Sequence, residues 1–404
     1  MINTCCFIKD AKEESVETFL KWQSTKKTGS CHALIVTGCM AQRYQKEIIE
    51  EVPEVDAVLG TTSYGDIVKA LEEAAAGNHF EEYRDIDYLP DTGSKRVLTT
   101  GGHFGYLKIA EGCDKHCTYC IIPKLRGKFR SVPMERLIAQ AEDMAEQGVK
   151  ELILVAQETT VYGKDLYGKK SLHILLQKLC EIKGIRWIRV LYCYPEEIYD
   201  ELIETIRDEK KICHYLDIPI QHASDRILKR MGRRTSKQEL IDIVGKLRKE
   251  IPDIVLRTTL ITGFPGETEE DHEELKEFVD AMEFDRLGVF TYSPEEDTPA
   301  AEMTDQIPEE VKEERRDELM ELQQEISYDR GQDRIGQELL VMIEGKVADE
   351  SAYIGRTYGD APKVDGYIFV QTGELLMTGD FAKVRVTGAL EYDLIGVLGD
   401  EYTK

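Results

Sequence analysis

The chain has 404 residues, and its 52 Lys and Arg stand against 77 Asp and Glu, a formal net charge of -25. That length suits two or three domains, and 42% apolar with 32% charged residues excludes a disordered chain and describes a soluble globular one. Such a charge excludes a general affinity for nucleic-acid phosphates without a local basic patch, so RNA binding is not expected and a basic macromolecular partner is. No run of about eighteen apolar residues occurs and no basic-then-apolar leader opens the sequence, which predicts a cytoplasmic protein with no membrane contact. The ten cysteines, grouped at short spacings, fit metal ligation in a reducing compartment better than disulfides.

The first ninety or so residues alternate strand-like and helix-like patterns. Strands are predicted at Met1–Phe7, Ala33–Thr37 and Val55–Leu59, and helices at Ala11–Gln23, Ala41–Glu50 and about Gly65–Ala76. This predicts a small α/β domain over residues 1–90. Two cysteines follow its strands directly: Cys5 in Asn-Thr-Cys-Cys-Phe and Cys39 in Val-Thr-Gly-Cys-Met-Ala-Gln. Ligands gather at the carboxyl ends of strands in open α/β sheets, so the two thiols can meet in space. The alternative for each is a small buried hydrophobe, the commonest fate of a free cysteine.

Residues 77–103, with Gly77, Asn78, Pro90, Gly93, Gly101 and Gly102, read as a connector. A longer array follows over residues 100–330. Strands are predicted at Gly105–Ala110, Glu151–Gln157, Arg186–Tyr192, His214–Ile220, Ile254–Thr262 and Arg286–Tyr292, with helices between them. One of these, Met134–Gln147, has Ser131 as its expected cap and Gly148 as its stop. Strict alternation implies a parallel sheet, curved into a partial (βα)6 barrel or left open, with one active face at the strand carboxyl ends.

Directly after the first of these strands stands Gly-Cys-Asp-Lys-His-Cys-Thr-Tyr-Cys, which places Cys113, Cys117 and Cys120 in a Cys-x-x-x-Cys-x-x-Cys pattern. Thiolates this close can wrap one soft metal centre, and a cubane iron–sulfur cluster normally takes four. Three ligands leave one iron open, which is what a cluster that binds a substrate or cofactor requires. Structural zinc is the alternative, with His116 as the fourth ligand, although zinc more often draws on two separated ligand pairs. Three unliganded thiols at this spacing would invite oxidation.

Polar residues sit at the ends of the later strands: Gln157, Glu158, Thr159 and Thr160 after the second, Tyr192 to Pro195 after the third, Gln221, His222, Ser224 and Asp225 after the fourth. The fifth carries Arg257 within it and Gly263-Phe264-Pro265-Gly266-Glu267 after it. In this architecture such residues belong to the active face, while Ser224 and Asp225 can equally cap the next helix. A charged helix over about Pro308–Arg330 follows, with Val311, Leu319, Leu322 and Ile326 at helical spacing. From residue 336 to 404 the pattern changes to short alternating runs at Leu339–Ile343, Tyr367–Gln371, Phe381–Val386 and Asp393–Val397, which predicts a small antiparallel β-barrel. From Glu338 onward it carries twelve Asp and Glu against six Lys and Arg, the opposite of an RNA-binding balance.

The cysteine spacing, with Tyr119 before its last member, resembles the signature of the radical S-adenosylmethionine enzymes. In that superfamily the open iron chelates the amino and carboxylate groups of S-adenosylmethionine, which is cleaved to a deoxyadenosyl radical. The segments around Cys5 and Cys39 are similar to the N-terminal domain of the methylthiotransferases, one of its subfamilies, and the C-terminal barrel is similar to their TRAM module. Leu154–Gly163, Leu191–Ile198, Tyr215–Arg234 and Leu256–Glu270 resemble the subgroup that modifies a ribosomal protein more than the subgroup that modifies tRNA.

The resemblance covers nearly the whole chain and implies two [4Fe-4S] clusters: one on Cys113, Cys117 and Cys120, the other on three cysteines of which Cys5 and Cys39 match two. The family's Gly-Cys-x-Lys-Asn string, which holds the third, is not in the sequence, and Cys6 and Cys31 lack its context. It further implies that Gln157, Gln221, Ser224, Arg257 and the main chain at Tyr119 line the S-adenosylmethionine pocket. It implies an electron donor of flavodoxin or ferredoxin type, and a methylthio group placed on an aspartate β-carbon of the small-subunit ribosomal protein numbered twelve. A tRNA methylthiotransferase is the nearest alternative; a non-catalytic iron–sulfur or zinc-binding interaction protein is the alternative of another kind.

Overall fold

The computed structural model describes residues 1–90, 96–348 and 350–403, so Gly93 of the expected connector lies outside the described residues. The chain divides into two compact units, the first combining residues 1–94 with Glu111–Val132 and Ser293–Thr304, the second combining residues 95–110 with Pro133–Tyr292 and residues 305–404. No helix among the described residues is long and apolar enough to cross a membrane.

The first unit is built on a four-stranded parallel sheet in the order β1 (Ile2–Thr4), β2 (Ile35–Gly38), β3 (Ala57–Leu59), β4 (Phe80–Glu82). Its helices are α1 (Lys9–Lys27), α2 (Cys39–Glu51) and α3 (Ile67–Ala75). β1 is shorter than the alternation suggested, and β4 falls in what read as connector, because Phe80-Glu81-Glu82 offers a single apolar residue to reveal it. The β1–β2 register pairs Thr4 with Gly38, which places Cys5 and Cys39 side by side just beyond two adjacent strands.

Gly38 makes that approach possible. Its φ of 101° suits glycine, and a Cβ there would stand 2.3 Å from the Thr4 carbonyl oxygen. The Thr4 hydroxyl closes the corner by donating to the Thr37 carbonyl at 2.6 Å. Glu111–Val132 carries the ends of two short strands, β6 (Ala110–Glu111) and β7 (Arg130–Ser131), and between them a five-residue helix, α4 (Ile122–Arg126). Ile121 and Leu125 are buried in the same apolar cluster as Cys6, Cys39, Met40 and Phe19.

In the second unit a parallel sheet runs β5 (Phe104–Lys108), β8 (Glu151–Val155), β9 (Trp187–Val190), β10 (Ile212–Asp217), β11 (Val255–Thr262), β12 (Arg286–Thr291), each strand beside its successor in sequence. It is six-stranded, as the alternation predicted, and is left unclosed. α5 (Met134–Glu146) follows β7; α6 (Lys164–Tyr167) and α7 (Leu172–Cys180) follow β8; α8 (Asp200–Asp208) follows β9. After β10 come α9 (Asp225–Arg230) and α10 (Lys237–Glu250), and α11 (Glu269–Met282) and α12 (Glu309–Gln332) complete the set.

Ser131 does not cap α5. Pro133 occupies the cap position, and the Met134 N–H that a serine would have taken is accepted by the Tyr167 hydroxyl at 3.0 Å. Ser224 does sit at the N-cap of α9, but its hydroxyl donates to Asp271 at 2.6 Å and makes no cap bond.

The last strands, β13 (Glu338–Lys346), β14 (Ala352–Arg356), β15 (Ile368–Gln371), β16 (Phe381–Ala389) and β17 (Leu394–Thr403), close into a barrel. Two details differ from expectation. β14 had no signal, because glycine and arginine interrupt Ala-Tyr-Ile-Gly-Arg, and the β15–β17 pair is parallel where an all-antiparallel barrel was expected.

This barrel grips the amino ends of the six-stranded sheet through buried charge. Arg356 of β14 donates to Glu151, the first residue of β8, at 2.7 Å, and Glu151 also accepts from Arg189 at 2.8 Å. Arg356 further holds Glu344, which pairs with His103 at 2.7 Å. The loop after β14 sends Asp360 to Arg286 at 2.5 Å and Asp365 to the Tyr215 hydroxyl at 2.8 Å. Several carboxylates that make the barrel acidic on paper are therefore consumed inside, and only part of the excess can face a partner.

Burial alone would raise the Glu151 carboxyl, but Arg189 and Arg356 override it and hold it below the ordinary 4.5. A carboxyl lowered in the folded state stabilises fully above its unfolded value and loses that contribution as the pH falls through its folded value. Glu151→Ala, which leaves two arginines uncompensated in the interior, is expected to cost about 3–5 kcal/mol. Urea unfolding of the second unit should show an earlier midpoint, and the gap between variant and wild type should narrow below about pH 4.5.

Candidate active site

Cysteines at the spacing of Cys113, Cys117 and Cys120 need a loop that turns tightly and stays turned. Gly112 opens it with φ of 75°, and a Cβ there would lie 2.0 Å from the Lys128 carbonyl oxygen. The Cys113 N–H donates to the Gly127 carbonyl at 3.2 Å, tying the start of the loop to the end of α4. Inside it the Cys120 N–H donates to the Cys117 carbonyl at 3.0 Å, and the Ala300 N–H donates to the Thr118 carbonyl at 2.9 Å from the segment after β12.

Cys113 and Cys117 are buried and Cys120 is half-buried, whereas Asp114 and His116 are exposed. His116 is thus accessible to solvent. Main-chain N–H groups reach two of the sulfurs, Lys115 to Cys113 at 3.4 Å and Ile122 to Cys120. Burial pushes the Cys120 thiol up to about 12; the Ile122 N–H opposes this, and the neighbouring Cys117 and Cys113 add to it. Among the described residues no three His, Cys, Asp or Glu side chains converge on a single ion.

The same unit holds the other cysteines of interest. Cys5 is exposed at the end of β1, and Cys39 is the first residue of α2, with Gly38 at its N-cap. Cys6 is wholly buried beside Cys39; burial pushes its thiol up to about 11, and Arg43 reaches it with a hydrogen bond. Cys31 is half-buried and donates to the Ala33 carbonyl. Among the described residues, which include all ten cysteines, no disulfide forms.

In the second unit Gln157 follows β8 and Gln221 follows β10, and the side-chain oxygen of each is buried without a hydrogen-bond partner. The Gln221 main chain is pinned at φ of 74° by its N–H to Thr259 at 2.9 Å and by Ile261 donating back at 2.8 Å. Arg257 donates to Asp217 at 2.7 Å and lies 3.4 Å from Asp365, so it is already neutralised inside the fold. Asp217 also takes the Tyr192 N–H at 3.1 Å, holding Tyr192 at φ of 60° with its ring 48% exposed. Asp217 escaped the sequence reading, although a carboxylate closing an apolar strand was an available signal.

Residues 107–279 match the radical SAM superfamily, residues 335–398 the TRAM domain, and residues 1–60 an uncharacterized protein family, UPF0004. The chain is 64% identical over 396 residues to the ribosomal protein uS12 methylthiotransferase RimO of Lachnoclostridium phytofermentans, covering 98% of this chain and 90% of that protein. The chain belongs to the RimO-type radical SAM methylthiotransferases. Proteins of the same name from Clostridium perfringens and Clostridium botulinum are 51% and 50% identical, each over 100% of this chain and 90% of its relative. A solved structure of the radical S-adenosylmethionine methyltransferase TsrM from Kitasatospora setae shares the fold, with TM-score 0.52 and 13% identity over 69% of this chain and 59% of that one.

Members of the radical SAM superfamily work with an iron–sulfur cluster and S-adenosylmethionine, and the residues present fit both. Three thiols with N–H donors to sulfur suit a cluster short of one protein ligand. The orphaned oxygens of Gln157 and Gln221 suit a small molecule rich in N–H and O–H donors. Gly112→Ala should break the cysteine loop, because the added carbon collides with main chain that cannot yield. We expect iron per chain and the brown cluster absorbance to fall at least several-fold after reconstitution, while the second unit keeps its unfolding midpoint.

Proposed function

We propose that the chain attaches a methylthio group to the β-carbon of an aspartate in ribosomal protein uS12. One observation carries this reading: 64% identity over 98% of the chain to a ribosomal protein uS12 methylthiotransferase, with the cysteine loop whole. In it Cys113, Cys117 and Cys120 hold a [4Fe-4S] cluster, and Cys5 and Cys39 take part in holding a second. Gln157, Gln221, Ser224 and Arg257, with the main chain at Tyr119, contact S-adenosylmethionine, and a flavodoxin or ferredoxin type of protein donates electrons. When bound, the cluster and S-adenosylmethionine supply the one-electron chemistry that removes hydrogen from an unactivated carbon, which acid–base side chains cannot do.

The chain's own residues do the rest. Cys113 and Cys117 are buried, which limits water at their sulfurs. Gln157 and Gln221 orient donors of the small molecule; Asp217 holds Arg257 and Tyr192 in place from below. The barrel's remaining acidic surface draws in a basic ribosomal protein and speeds encounter at low salt. In this reading residues 1–90, 100–330 and 336–404 are the cluster-holding, radical and substrate-recognition domains.

The test is direct. The anaerobically reconstituted chain, with S-adenosylmethionine and reductant, is incubated separately with purified uS12 and with tRNA, and each is weighed by mass spectrometry. A gain of one methylthio group in place of hydrogen on uS12 alone is expected; the gain on tRNA alone would sink the reading. For the second cluster, a Cys113→Ala, Cys117→Ala, Cys120→Ala variant should keep iron, and that iron should vanish when Cys5 and Cys39 are also replaced.

A further inference from the structure

Tyr192 stands just past the end of β9, among residues that face the interior. Leu191, Cys193, Thr159 and Asp217 are all buried, whereas Tyr192 is 48% exposed. Its main chain is clamped from two sides. The N–H donates to the Asp217 carboxylate at 3.1 Å, and the carbonyl accepts from the Thr159 N–H at 3.1 Å and from the Thr159 hydroxyl at 3.0 Å. The following N–H, that of Cys193, donates to the Asp217 carbonyl at 2.8 Å. These bonds hold Tyr192 at φ of 60°, a left-handed conformation that glycine adopts freely and tyrosine rarely. Glycine would relax this corner, and a half-exposed ring adds little to the core, so neither the backbone nor the packing accounts for a tyrosine here. Strained residues that their surroundings hold in place gather where a molecule is bound.

Its position in the sheet fits one kind of molecule. β9 lies between β8 and β10, and Gln157 and Gln221 follow those two strands with side-chain oxygens that are buried and lack hydrogen-bond partners. Enclosed acceptors suit a small molecule, whereas a ring reachable from solvent at the strand end between them suits a partner too large to be enclosed. We infer that Tyr192 is a substrate-contacting residue: its ring packs against the stretch of uS12 that carries the target aspartate and holds the β-carbon in place. The inference rests on the uS12 reading above. An aromatic ring brings a large contact area with few rotatable bonds, which makes tyrosine a frequent anchor in protein interfaces. Burial, and after it the charge of Asp217, hold the phenol above its ordinary 10 against the pull of Arg257. The ring therefore stays neutral near pH 7 and brings no negative charge to an aspartate.

The experiment uses the full reconstituted chain with purified uS12. Tyr192→Gly removes the ring without straining the backbone, and Tyr192→Phe keeps the ring without the hydroxyl. Tyr192→Gly should raise KM for uS12 by about tenfold or more and increase the deoxyadenosine released per methylthio group formed. Its iron content and its dissociation constant for S-adenosylmethionine should match the wild type, and Tyr192→Phe should bring KM most of the way back. Carbene labelling of the wild-type chain, mapped by mass spectrometry, decides the matter without any variant: uS12 should shield Tyr192 several-fold, and S-adenosylmethionine alone should not. A wild-type KM in Tyr192→Gly, or a Tyr192 that uS12 leaves unshielded while being modified, would overturn the inference alone. Shielding by S-adenosylmethionine alone, with weaker binding of it by Tyr192→Gly, would assign the ring to the small-molecule pocket and overturn the inference too. A wild-type chain that modifies tRNA and leaves uS12 untouched would remove the uS12 reading, and the inference with it.

Discussion

A buried thiol resists losing its proton, and two neighbours that would also carry negative charge make it resist harder. That constraint acts on Cys120 in its loop. Burial, with Cys117 and Cys113 beside it, pushes its thiol up, and main-chain N–H groups reach its sulfur and that of Cys113. What surrounds the loop serves that arrangement. Gly112 lets it start, the Gly127 carbonyl fastens its beginning to its end, and Ala300 pins its middle.

The N-terminal sheet solves a related problem by different means. Parallel pairing of β1 with β2 delivers two cysteines to one place simply because the strands end in register at Thr4 and Gly38. One of these cysteines begins a helix. The loop cysteines rely on hydrogen bonds inside a tight turn, whereas Cys39 relies on the sheet and helix around it. Both groups share an apolar cluster through Ile121, Leu125 and Cys39, so their positions are set by one packing problem and not two.

What could be read from the sequence follows from range. The cysteine spacing and the six strand–helix repeats are local patterns, and the structure reproduces each strand to within a few residues. The meeting of Cys5 with Cys39 was also legible, because strand ends in an α/β sheet share an edge. Features set by distant partners were not. The parallel β15–β17 pair, the burial of Asp360 and Asp365, and the double neutralisation of Arg257 all depend on residues more than twenty positions away. Ser131 misled because a local rule, serine before a helix, lost to Pro133 and to a tyrosine hydroxyl thirty-three residues on. β4 and β14 were hidden for a simpler reason: too few apolar residues to set up an alternation.

The way the terminal barrel is seated limits how such enzymes can be rebuilt. Its Arg356 and Asp360 are matched to Glu151 and Arg286 at the base of the sheet, charge against charge. A barrel transplanted from a relative with another target would bring its own loop and leave those partners facing nothing. Exchanging this module therefore means rewriting the underside of the sheet as well.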